Sequence, residues 1–101
     1  MHELYCGIDI GTSSTKAMVY DEAMRPVFNK SRRYDFLVPE QDRVELDPDE
    51  VFNAVIACLK ACVRKADHLG MPLGFVAFSS ALHSFIAVDA EGRPLTNYIT
   101  W

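Results

Sequence analysis

Residues 7–21 read GIDIGTSSTKAMVYD, and this stretch decides the fold. Leu4 to Ile10 is almost wholly apolar, Gly11, Thr12 and Ser13 are turn formers, and Lys16 to Tyr20 reads as a second strand. A turn at Asp21–Pro26 follows, and Val27 to Tyr34, alternating in its second half, makes a third strand. Three strands joined by connections this short run antiparallel, as a meander. Leu4 to Ile10 is apolar on both sides of the pleat and is therefore expected to be an interior strand covered on both faces.

Outward from the meander, residues 35–46 carry Pro39 and little periodicity, and read as an irregular crossover. Asp47 then offers an N-cap, Pro48 suits the first helical position, and Glu50 sits at the capping-box position. Asp49 and Glu50 favour the positive end of the helix dipole. Val51, Val55, Leu59, Cys62, Ala66 and Leu69 recur at near-helical spacing as one apolar stripe, and Gly70 and Pro72 end the helix. Leu73 to Phe78 is a strand, expected to run parallel to an earlier one because a whole helix intervenes. Ser79 to His83 is a break rich in small residues. Phe85–Val88 and Leu95–Thr100 flank a turn at Asp89–Pro94, as a further hairpin. The pattern D-x-x-x-R-P-x-x-N occurs at Asp21–Asn29 and again at Asp89–Asn97, which reads as two similar turns. The expected fold class is α/β, in one domain over 1–101.

Composition narrows the partners. The 101 residues carry a net charge of −4 and no basic cluster beyond Lys30, Arg32 and Arg33. Those three read as a solvated strand end, so a nucleic-acid partner is not expected. No run of about 18 apolar residues is present, and no basic-then-apolar leader opens the chain, so the expected compartment is the cytoplasm, away from membranes. Cys6, Cys58 and Cys62 form no CxxC motif. They read as small buried hydrophobes, not as a disulfide framework or zinc site.

Asp9 is the anomaly in an apolar strand, because a buried carboxylate is costly unless it is paired or bound to a cation. After it and Ile10 come Gly11, four hydroxyl residues (Thr12 to Thr15) and Lys16. Gly11 permits a positive φ and a close backbone approach. Backbone N–H groups and hydroxyls in such a turn make a concave anion site, and Lys16 adds a point charge suited to phosphate. A carboxylate beside a phosphate calls for a bridging divalent cation, for which magnesium is the usual choice. The alternative is a tight hairpin turn that Asp9 merely caps. A Walker A loop and a dinucleotide fingerprint are both absent, and a strand, not a helix, follows the turn.

GIDIGTSSTKAMVYD resembles the first phosphate motif of the actin–hexokinase–sugar kinase superfamily, whose ATPase lobes have a ribonuclease H-like fold. The order of three antiparallel strands, helix and parallel strand matches the opening of that fold. FSSALHSFIAVDAEGRPLTNYITW, from Phe78 to Trp101, is similar to the substrate-side segment of the FGGY carbohydrate kinases, and DPDEVFNAV resembles their helix start. Within that family the likeness is greatest to gluconate kinases, with xylulose kinases next. The resemblance implies that Asp9 lies near the ATP phosphates and Mg2+, and that Gly11, Thr12, Ser13 and Lys16 approach the phosphates. It also implies that His83 contacts sugar hydroxyls, with Leu82 standing where a methionine is common, and that Trp101 opens a Trp-x-Asp motif facing substrate. Read on its own, His83 also fits a core or surface histidine satisfied by a neighbour.

The expected function is that of the N-terminal part of an ATP-dependent carbohydrate kinase acting on gluconate, with xylulose or another pentulose as alternative. A nucleotide-binding regulator or ATPase of the same superfamily is the competing class, which would have no reason to carry the His83 segment. FGGY kinases are several times this length, and no residue of this chain reads as the catalytic base, so these 101 residues alone are expected to be inactive. Their exposed strand edges are expected to favour self-association.

Overall fold

In a computed structural model, which describes residues 2–41, 43–80 and 84–100, the elements are β1 (Leu4–Ile10), β2 (Ser14–Tyr20), β3 (Pro26–Arg33), β4 (Glu45–Leu46), α1 (Pro48–Leu69), β5 (Leu73–Ser80) and β6 (Tyr98–Ile99). One sheet has the order β3-β2-β1-β5. Its first three strands are an antiparallel meander, and β5 lies parallel to β1 after the α1 crossover. This is the α/β, ribonuclease H-like opening that the sequence called for.

β1 is interior, between β2 and β5, but only one of its faces is covered among the described residues. Leu4, Cys6 and Ile8 turn toward α1 and are buried with Ala17, Val19, Cys58, Cys62 and Ala66. Tyr5, Gly7 and Asp9 lie on the opposite face, which no described helix covers. The expectation of two covered faces is therefore corrected: Tyr5 spends its apolar ring on stacking with Phe75 of β5, centroids 4.8 Å apart, instead of on a second layer.

α1 begins and ends as its residues dictate. Asp47 accepts from the Asp49 N–H at 2.9 Å, and Pro48 occupies the first turn, where its missing donor costs nothing. At the other end Gly70 adopts φ 67°, with its N–H on the Asp67 carbonyl and the Met71 N–H on that of Ala66. That is a Schellman closure. The buried stripe is Val51, Ala54, Cys58, Cys62 and Ala66. Val55 and Leu59 sit at its flank, and Leu69 is exposed. Small residues line the contact because the helix lies close on the sheet, leaving no room for leucine-sized side chains along its centre.

The two D-x-x-x-R-P turns are the same structure. Asp21 Oδ1 accepts from the N–H groups of Ala23 and Arg25, and its Oδ2 from Arg25 Nε. Asp89 repeats this with Glu91 and Arg93. The first turn leads into the full β3 ladder. The second, expected to join two strands, closes only through isolated bridges, Val88 to Pro94 and Phe85 to Ile99. Tyr98–Ile99 pairs instead with Glu45–Leu46, inside the segment read as an irregular crossover. Glu45 is buried there, held by Arg43 and by Asn97 Nδ2 at 3.0 Å. The Asn97 hydrogen bond first, then Arg43, keeps its carboxyl below the usual range. Among the described residues no helix is long and apolar enough to cross a membrane.

Candidate functional site

Residues opposite one another on neighbouring strands share a face of the sheet. On the open face one row therefore reads Ser31, Lys16, Asp9, Ser79, and the next reads Asn29, Met18, Gly7, Ala77. These residues line a shallow concavity of about 560 Å³. Gly7 contributes floor without side chain, and a Cβ there would meet nothing within 4 Å.

Asp9 is exposed, not buried. The sequence-based premise that desolvation demands a cation is thus corrected, because β1 ends at the rim of the sheet, where water reaches the carboxylate. Among the described residues no N–H of the turn donates to Asp9; Ser79 Oγ donates to its Oδ1 at 3.0 Å from the neighbouring parallel strand. Lys16, its neighbour on β2, is exposed and makes no ion pair with it among the described residues. An anionic ligand arriving at this row therefore finds an ammonium not already neutralised.

The turn between β1 and β2 is built tightly. Gly11 does not use a positive φ, which among the described glycines is confined to Gly70 and Gly92. Its requirement is space: a Cβ at Gly11 would stand 3.0 Å from the Ser14 carbonyl oxygen, a backbone atom held by the Gly11 N–H itself at 2.9 Å. Among the described residues the N–H groups of Thr12 and Ser13 have no acceptor, which leaves them for an anion. From behind, Tyr34 holds the turn. Its N–H donates to the Ser13 carbonyl at 3.1 Å, and its hydroxyl donates to the Gly11 carbonyl at 2.5 Å. Burial pushes this phenol above its ordinary pKa, so it stays protonated as a donor.

The structure thus brings together Asp9, Gly11, Thr12, Ser13 and Lys16. Leu82, His83 and Trp101 lie outside the described residues. β5 ends at Ser80, level with Ile10, at the same end of the sheet as the turn. No group of three or more His, Cys, Asp or Glu among the described residues could hold a metal by itself. Two participants escaped sequence reasoning. Tyr34 was not within reach, since counting the β2–β3 register back from the Asp21 turn places Arg33 opposite Ser13, and the register shift between Val19 and Tyr20 is what brings Tyr34 there. Nor was Ser79, because its meeting with Asp9 depends on the register of two strands 70 residues apart.

Residues 4–101 match the N-terminal domain of the FGGY family of carbohydrate kinases. Among curated relatives, a gluconokinase of Bacillus licheniformis is 41% identical over 95 residues, covering 94% of this chain and 18% of the relative. A xylulose kinase of Staphylococcus xylosus is 32% identical over 95 residues, covering 94% and 19%. The crystal structure of a gluconate kinase from Lactobacillus acidophilus superposes with a TM-score of 0.90 at 30% identity, covering all of this chain and 20% of that one. The chain spans about a fifth of the length of the relatives it matches.

Proposed function

This chain belongs to the FGGY family of carbohydrate kinases, and from that premise we propose that it supplies one side of the active site of an ATP-dependent kinase for gluconate. The observation that carries this reading is the row Lys16–Asp9–Ser79, set directly beside a turn whose Thr12 and Ser13 N–H groups are unclaimed. The N–H groups, the hydroxyls and Lys16 bind phosphate oxygens and fix the nucleotide's approach. Asp9, with Ser79 orienting its carboxylate, faces the place where a phosphate-bound Mg2+ belongs. One exposed carboxylate with a hydroxyl beside it suits that ion, which takes one or two carboxylates and fills its other positions with phosphate oxygens and water. Bound there, the ion would screen the phosphate charge. Leu82, His83 and Trp101 are assigned to the sugar on the resemblance alone, and the cytoplasm is assigned because ATP is the donor.

Gluconate is preferred because the relative at 41% identity is a gluconokinase. The second reading is xylulose or another pentulose, favoured by the relative at 32%. Neither the adenine site nor the base acting on the sugar hydroxyl is assigned to any residue here, so transfer needs more protein than these 101 residues. The test uses the protein expressed from its complete reading frame, with ATP and with gluconate, xylulose, ribulose or glycerol. ADP release with gluconate foremost is expected; none with any of the four would defeat the kinase reading and leave a regulator or ATPase of the same fold. In the same assay Asp9→Asn is expected to lower kcat about a hundredfold or more, the size of effect seen when one electrostatic stabiliser is lost. His83→Ala should raise the KM for the sugar, not that for ATP.

A further inference from the structure

We propose that Tyr34 is a positioning residue for the nucleotide: its buried hydroxyl sets the direction in which the β1–β2 turn presents the backbone N–H of Thr12. The inference rests on the phosphate reading above and deepens it. Tyr34 directly follows β3 and packs with Leu46, Val51 and Ala54, only 6% exposed. It touches the turn through two bonds of different kinds, N–H to the Ser13 carbonyl and hydroxyl to the Gly11 carbonyl. Because the phenol's single proton is committed to Gly11, Thr15 Oγ1, 3.2 Å away and fully buried, must donate to the phenol oxygen.

The consequence follows from peptide geometry. In a planar trans peptide the carbonyl and the next residue's N–H point in opposite directions. Pinning the Gly11 carbonyl inward on Tyr34 therefore aims the Thr12 N–H outward, away from the core. A turn of consecutive hydroxyl residues has competing local hydrogen bonds available to it. The buried phenol selects one arrangement before a nucleotide arrives, so binding does not have to order the peptide.

Tyr34→Phe removes the hydroxyl and keeps the ring. In the protein from the complete reading frame, the KM and the calorimetric Kd for ATP are expected to rise about three- to tenfold, with kcat and the sugar KM within about twofold. Thr15→Val, which frees the phenol without touching Tyr34, should shift the ATP constants the same way by a smaller factor and serves if Tyr34→Phe does not fold. Unchanged ATP constants in both variants would overturn the inference. So would a loss spread evenly over ATP, sugar and kcat that tracks a lowered melting point. If the wild-type protein does not bind ATP at all, the phosphate reading falls, and this inference with it.

Discussion

Met24 and Gly92 hold the same place in two copies of one turn, with φ of 61° and 81°. Only glycine adopts that conformation without a clash between Cβ and the following carbonyl, a clash that costs about 1–2 kcal/mol. Met24→Gly relieves it and loses about 0.5–1 kcal/mol to the freer unfolded chain. A net gain of about 0.5–1 kcal/mol is expected, a rise in Tm of about 2–8 °C by calorimetry; Gly92→Ala should move Tm the other way. Asp21 and Asp89 make these turns, and each carboxyl is held below its ordinary 3.8, first by the N–H of Arg25 or Arg93. A depressed folded-state pKa contributes stability that is complete above the ordinary value and lost as pH falls through the lowered one. The urea midpoint should therefore hold from neutrality to about pH 5 and drop below about pH 4, and Asp21→Asn with Asp89→Asn should flatten that drop. The repeated D-x-x-x-R-P letters made both turns legible beforehand. Asp9 was legible as the odd residue of an apolar strand, but its exposure was not, since strand periodicity does not say how near a residue lies to the rim of its sheet.

At the scale of elements, α1 shows where pattern reading succeeds and where it slips. Its ends were legible because caps are local: Asp47, Pro48 and Gly70 act within one turn of themselves. Its buried face was misplaced by part of a turn, because a hydrophobic pattern weights large residues, whereas a helix pressed onto a sheet centres on Ala54, Cys58, Cys62 and Ala66. Enlarging that line should be costly: Cys58→Leu is expected to lose about 1–3 kcal/mol by overpacking, measured by urea unfolding. Burial also raises the thiols of Cys6, Cys58 and Cys62, the last to about 12. A thiol reagent should label none of the three in the folded chain and all three in urea. The native state here retains protons that the unfolded state releases, so stability should decline as pH rises through the unfolded thiol value of 9.0.

Taken whole, the molecule is extended for its size. Its radius of gyration is 15.6 Å, where about 13 Å is usual for this length. Its accessible surface is 6842 Å², against roughly 5,800 Å² for a compact monomer of this size. The long-range pairing behind that shape was only partly legible. The four-stranded sheet follows from connection lengths, but β4 and β6 are two residues each, too short to carry a period, and they find one another across a stretch that includes α1 and β5. The two sheet edges, β3 and β5, differ in character. β3 carries Lys30, Arg32 and Arg33, charges that blunt an edge against further pairing. β5, reading LGFVAFSS, has no charge, and its Phe75 and Phe78 are each more than half exposed. We therefore predict that the 101 residues taken alone self-associate through β5 and not through β3. Light scattering should give a mass that climbs with concentration, and Phe78→Lys should return it to the monomer value, because a lysine on the free edge must be desolvated before a second strand can pair there. Removing charge from the other edge, by Arg32→Thr, should leave the mass of the Phe78→Lys protein unchanged. A wild-type chain that stays monomeric at every concentration would overturn the prediction.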